Sequence, residues 1–151
     1  MNRPAFEPTL KGRALRLLSQ REHSRRELER KLAEHETEPG QLARALDELQ
    51  ARGFISEERV IESVIHRRAG KLGTARVKQE LAAKGLSGEA VAEAMEHLRT
   101  TELSRAREVW RRKFGQAATD SKERARQIRF LISRGFAAEA VRRVVQGTDE
   151  G

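Results

Sequence analysis

The sequence predicts an all-α fold: three tandem three-helix repeats forming an elongated, curved helical array, right- or left-handed. Three observations carry that prediction. Leu32, Leu81 and Leu131 each close a basic helical segment and recur at steps of 49 and 50 residues. Each is followed ten positions on by an apolar anchor (Leu42, Val91, Val141), and four positions later by another (Leu46, Met95, Val145). Only 37% of the 151 residues are hydrophobic against 36% charged, which disfavours one deep core and favours small modules that bury apolar faces on their neighbours. The repeats occupy residues 9–55, 56–103 and 104–146, with frayed ends over 1–8 and 147–151.

Repeat 1 opens with a helix from Thr9 to Gln20, whose apolar positions Leu10, Ala14, Leu17 and Leu18 share a helical period. Ser24 and Glu27 form a capping box ahead of Leu28 and Leu32. A third helix starts near Pro39, runs through Leu42, Ala45, Leu46 and Leu49, and stops at Gly53. In repeat 2, Ser56 caps a helix with Val60, Ile61, Val64 and Ile65; the stretch Gly70 to Gly73 reads as a flexible break. Thr74 caps the next helix, which packs through Val77 and Leu81 and ends at Gly85. Ser87 opens the last, with Val91, Ala94, Met95 and Leu98. Repeat 3 has Val109, Trp110 and Phe114 before Gly115, a second capping box at Asp120 and Glu123, a central helix to Gly135, and a short closing helix with Val141, Val144 and Val145.

The net charge of +8 comes from 31 basic and 23 acidic residues. It is concentrated at one end, because residues 104–151 hold 12 basic against 6 acidic side chains. Candidate contact residues follow the central helices and their flanks: Arg25, Arg26, Arg30 and Lys31 in repeat 1; Arg67, Arg68, Arg76 and Lys84 in repeat 2; Arg111, Arg112, Lys113, Lys122, Arg126, Arg129, Phe130 and Arg134 in repeat 3. Acidic helix starts and basic helix ends also have an ordinary origin in the helix dipole, which accounts for Glu57, Glu58, Arg67 and Arg68 without a ligand. Repeat 3 is different. At 100° per residue Ala125, Ile128, Leu131 and Ile132 form one arc, while Lys122, Arg126 and Arg129 oppose it with Phe130 alongside. Phe130 either docks onto a neighbouring module or stands among the arginines as an anchor for a protein or a nucleobase.

No catalytic constellation emerges. The chain has no cysteine, which removes disulfide, thiolate-zinc and cysteine chemistry and fits a reducing cytoplasm. His23, His35, His66 and His97 lie in separate elements without ligand spacing and read as surface residues. The three aspartates form no cluster, no glutamate is marked by an apolar pocket, and Gly70 to Thr74 lacks both the spacing and the preceding strand of a phosphate loop. Neither a cofactor nor a metal is expected, and no run approaches a membrane span.

The chain resembles the bacterial RecX regulatory proteins, which modulate the recombinase RecA. The resemblance runs through Ala14-Leu15-x-x-Leu18, Arg21-x-x-Ser24-Arg25-x-Glu27-Leu28-x-x-Lys31-Leu32, Gly53-Phe54-Ile55, Arg67-Arg68, Gly73 and Val77-x-x-Glu80-Leu81-x-x-Lys84-Gly85. Its most specific block is Arg112-Lys113-Phe114-Gly115, Lys122-x-Arg124-x-Arg126-x-x-Arg129-Phe130-Leu131 and Arg134-Gly135-Phe136. Thr74 stands where many members have proline, and His35 to Glu38 is an acidic insertion. The resemblance implies a non-enzymatic, cytoplasmic, monomeric regulator that binds the RecA filament and lowers filament growth, DNA-dependent ATP hydrolysis, strand exchange and co-protease action, with weaker, sequence-independent contact to single- and double-stranded DNA. The residues alone also allow a tandem helix-turn-helix protein acting on DNA directly, or a structural adaptor unrelated to recombination.

Overall fold

The computed structural model describes residues 7–147; the expected frayed ends, apart from Glu7, Pro8 and Gly147, lie outside them. All regular structure among these residues is helical: α1 (Leu10–Gln20), α2 (Arg25–Leu32), α3 (Gln41–Ala51), α4 (Glu57–Arg68), α5 (Thr74–Ala83), α6 (Glu89–Arg99), α7 (Glu102–Lys113), α8 (Ser121–Ser133) and α9 (Ala138–Gln146). Three groups of three helices result, as the repeat predicts. The chain divides into two compact units at Val60 and Ile61.

In the first unit α1, α2 and α3 pack on one another. Leu10, Ala14, Leu28, Leu32, Leu42, Leu46, Leu49 and Ile55 form the core. Thr9 Oγ1 accepts from the Gly12 amide, and Ser24 and Glu27 complete their capping box. Two expectations change here. The third helix begins at Gln41 after a left-handed Gly40 (φ 83°), so Pro39 lies outside its first turn. Leu32 closes α2 as expected and runs into a 3-10 turn, Ala33–His35. His23, expected at the surface, is buried, and its Nδ1 lies 3.0 Å from the Arg21 carbonyl.

In the second unit the buried residues include Ile61, Val64, Val77, Leu81, Leu86, Val91, Met95 and Leu98 from repeat 2. Repeat 3 adds a cluster of Ala106, Val109, Leu131, Phe136, Val141, Val144 and Val145. Two of the recurring leucines share a job. Leu81 and Leu131 sit three places before the helix cap, and each carbonyl accepts from the apolar residue just beyond a left-handed glycine: Leu86 after Gly85, and Phe136 after Gly135. That 6→1 bond with its accompanying apolar contact is the Schellman stop, and it explains why a leucine, a glycine and a large apolar residue recur together.

Four further expectations are corrected in this unit. Thr74 is the first residue of α5 rather than its cap; Gly73 holds the cap position and offers no side chain. Helix α6 starts at Glu89 behind Gly88, not at Ser87. Asp120 accepts from the Glu123 amide, but the Glu123 carboxylate turns to Arg126 instead of closing a capping box. The Gly70 to Gly73 stretch is tied down rather than free: the Gly73 amide donates to Arg134 O, Arg105 donates to Ala69 O and Leu72 O, and Arg112 donates to Gly70 O.

Candidate interaction surface

Several of the candidate arginines are used internally. Arg25 pairs with Asp47 at 2.8 Å and with Glu29, and donates to Gln50 and to Ala43 O, which clasps α2 to α3. In repeat 2, Arg68 and Arg67 share the Glu80 carboxylate at 2.9 and 3.9 Å. Arg76 reaches across to Ser133 O at 2.7 Å and covers Gly135. Arg26, Arg30 and Lys31 are exposed and Lys84 is half-buried, and Lys31 lines a hollow of about 550 Å³ with Arg13, Arg16 and His35.

Repeat 3 gathers its candidates closely. Phe130 is half-buried and packs on the core of its own module, so neither an exposed anchor nor docking on a neighbour describes it. Its ring meets Phe114 edge-on, with centroids 5.5 Å apart at 86°. Arg134 lies over the Phe130 ring at 4.5 Å and Lys113 at 5.2 Å, while Arg126 covers Phe114 at 5.4 Å. Each such contact is worth about 0.5–1 kcal/mol where solvent reaches it, and together they fix three cations in one patch. Arg129 and Lys122 are exposed beside it, and Arg111 makes only an exposed pair with Glu108.

The arc expected to face the core is rotated. Gln127 and Leu131 are buried, Ile128 and Phe130 are half-buried, and Ile132 is 43% exposed. Relative to the expected arc the buried face has turned by roughly a quarter of a helical turn at 100° per residue. The cause is polar. Gln127 Oε1 accepts from the Trp110 indole N–H at 2.9 Å, and Gln127 Nε2 donates to Gln116 O. A buried indole N–H needs an acceptor, and the glutamine that supplies it displaces Ile132.

Two residues that the sequence reading passed over hold repeats 2 and 3 together. Glu102 is 8% exposed. Its Oε1 accepts from the Thr74 amide (2.9 Å), the Thr74 hydroxyl (2.6 Å) and Arg105 (3.2 Å), and its Oε2 accepts from the Ala137 amide at 2.9 Å. One carboxylate therefore caps α5 from repeat 2 and α9 from repeat 3. Arg105 also donates to Ala69 O, Leu72 O and Leu98 O. Burial lowers the Arg105 pKa from its ordinary value, while the charge and hydrogen bond of Glu102 push it back up. A guanidinium stays charged under either influence. Neighbouring Arg107 keeps one buried Nη2 without a partner.

Family models match the chain in three places: the first RecX three-helix domain over residues 11–49, the second over 56–95 and the third over 100–145. A "Regulatory protein RecX" from Leptothrix cholodnii is 55% identical over 98% of this chain and 93% of its own length. The chain belongs to the RecX family. A second RecX relative, from Ralstonia nicotianae, is 46% identical over 93% of this chain and 89% of its own. The crystal structure of RecX from Lactobacillus salivarius shares the fold, with a TM-score of 0.76 at 16% identity, covering 93% of this chain and 94% of that one.

The two departures from the RecX pattern now have structural accounts. Thr74 keeps an amide N–H where many members have proline, and both that N–H and its hydroxyl are spent on Glu102. The insertion closes on itself: Glu36 accepts from the Leu42 amide at 2.8 Å and so supplies the acceptor that Gly40 cannot. Among the described residues no His, Cys, Asp and Glu group could hold a metal, and no helix is long and apolar enough to cross a membrane.

Proposed function

We propose that this chain is a cytoplasmic, non-enzymatic regulator that binds the RecA–DNA filament as a monomer and lowers its activity: filament extension, DNA-dependent ATP hydrolysis, strand exchange and co-protease function. The observation that carries this reading is the match of all three modules to RecX domains, together with relatives named as regulatory proteins. The three repeats, 9–55, 56–103 and 104–146, each contribute a contact, and weak contacts to successive subunits of a filament reinforce one another through effective concentration.

The principal contact surface in this reading is the cation-covered aromatic patch of repeat 3: Arg126, Arg129, Phe130 and Arg134, with Arg111, Arg112 and Lys113. Clustered guanidinium groups suit carboxylates of a protein partner and phosphates of the DNA it coats. Arg25, Arg68 and Arg76 hold internal partners and serve the fold first, and Arg112 spends one guanidinium nitrogen on Gly70 O. RecA's single-stranded-DNA-dependent ATPase, titrated with this protein, is the test. Dose-dependent inhibition is expected, weakened by the double charge reversal Arg126→Glu and Arg129→Glu at unchanged helicity. No inhibition at several-fold molar excess overturns the function, and full inhibition by the double variant overturns the surface. Tight duplex binding without RecA, with sequence preference surviving added salt, would instead favour direct action on DNA.

A further inference from the structure

The displaced Ile132 borders an open groove of about 790 Å³ where α5, α7, α8 and α9 meet. The groove shares no residue with the aromatic patch. Its walls are apolar and low, formed by Ala75, Leu103, Ile132, Ala137 and Ala138. Small side chains there let a foreign backbone approach closely, and Ile132 offers apolar area that its own module does not cover. Beneath the floor the Glu102 carboxylate already satisfies the Thr74 and Ala137 amides, so the base asks for no polar partner. An occupant that reaches it gains by burying apolar surface rather than by hydrogen bonding.

The rim has the opposite character. Lys78 from α5, Arg99 from α6 and Arg143 from α9 line it, against Glu139. Arg99 is more than half exposed and pairs with an exposed Glu96 three residues away, a pairing that exchanges for another carboxylate at little cost. An apolar floor inside a cationic rim selects a segment with one large apolar side chain flanked by aspartate or glutamate. Nucleic acid carries the charge for the rim, but its phosphates gain nothing on the floor.

We propose that this groove docks an acidic, apolar-anchored segment of the recombinase subunit, a second contact separate from the basic patch. The proposal rests on the RecA reading above. Its experiment uses the full chain with RecA filaments on single-stranded DNA, comparing wild type with Ile132→Asp and with the rim pair Lys78→Glu and Arg99→Glu. Each variant is expected to raise the concentration for half-inhibition of ATP hydrolysis at least about tenfold, the equivalent of 1.4 kcal/mol, at unchanged helicity. The rim pair lies on exposed positions and remains informative if Ile132→Asp misfolds. A photoreactive benzoylphenylalanine in place of Ala138 is expected to cross-link RecA within an acidic peptide. Wild-type inhibition with an unmoved midpoint in the rim pair, or cross-links confined to DNA or to a second copy of this chain, overturns the groove alone. A wild-type protein without effect on RecA overturns the groove and the function together.

Discussion

Replacing Glu102 by glutamine tests how repeats 2 and 3 are joined. The carboxylate accepts four hydrogen bonds from three residues, at 2.6 to 3.2 Å. An amide has one oxygen. If that oxygen serves Thr74 and Arg105, the NH₂ group faces the Ala137 N–H, and two donors oppose each other in a place water hardly reaches. One unsatisfied buried donor costs about 1–3 kcal/mol. Arg105 also loses its counter-charge, and breaking a buried ion pair from one side costs about 3–5 kcal/mol. The three carbonyls that Arg105 retains reduce that second cost, so we expect about 3 kcal/mol in all, and about 4 for Glu102→Ala. The assay is urea unfolding followed by fluorescence of Trp110, the chain's single tryptophan. With a denaturant slope of about 1.5 kcal/mol/M for a domain of this size, the midpoint should fall by roughly 2 M. Amide exchange at Thr74 and Ala137 should accelerate in step. A loss below about 1 kcal/mol would refute the idea that this one carboxylate is a principal tie between the modules.

Gly73→Ala should destabilise the second unit by about 2 kcal/mol or more, because a Cβ there would overlap the Gly135 carbonyl group and backbone cannot yield. Gly70→Ala has open space at Cβ and should leave the thermal midpoint nearly unmoved, so equal losses in the two variants would count against a close backbone crossing. Gln127→Ala should cost about 2 kcal/mol and shift Trp110 emission, since the indole N–H loses its acceptor; unchanged emission would contradict that bond. His23 donates its Nδ1 proton to the Arg21 carbonyl, and burial, the largest influence, lowers its pKa. The nearby charges oppose one another, with Arg21 and Lys31 lowering and Glu27 raising it. The unfolded state therefore takes up the proton first. Stability is complete above about pH 6.5 and is lost as pH falls below it toward the depressed native pKa. Circular dichroism melts should show this slope in wild type and a flatter one in His23→Gln.

The helices and most of their ends were legible because they depend on local chemistry: the capping box at Ser24, the glycine stops at Gly53, Gly85 and Gly135, and apolar residues at helical spacing. What escaped was every feature set by a partner distant in sequence. Thr74 reads as a cap because threonine is a good one, yet its hydroxyl serves a carboxylate 28 residues away. A signal was present. Neither Gly73 nor Ala137 can cap with a side chain, and two helix starts without a cap require an acceptor from elsewhere. Apolar periodicity places Ile132 inward because it is blind to a buried glutamine. Gln127 scores as polar while it fills the core through its bond to Trp110.

These long-range ties also explain how equivalent repeats became unequal. In repeat 1 the central helix ends in a 3-10 turn and an insertion that bonds within its own module. In repeats 2 and 3 the corresponding ends carry glycine stops. The second of these presents Arg134 O and Gly135 O to the Gly73 and Ala75 amides, backbone to backbone. Such a crossing tolerates no Cβ on Gly73 and leaves no slack between the two modules, so whatever repeat 3 grips is held at a fixed distance from repeat 2. The same tight junction creates the groove, since α5 and α9 begin side by side over one carboxylate and their first turns are alanine-rich. Binding site and joint are thus one construction, and loosening Glu102 should weaken groove binding even though its carboxylate would touch no partner.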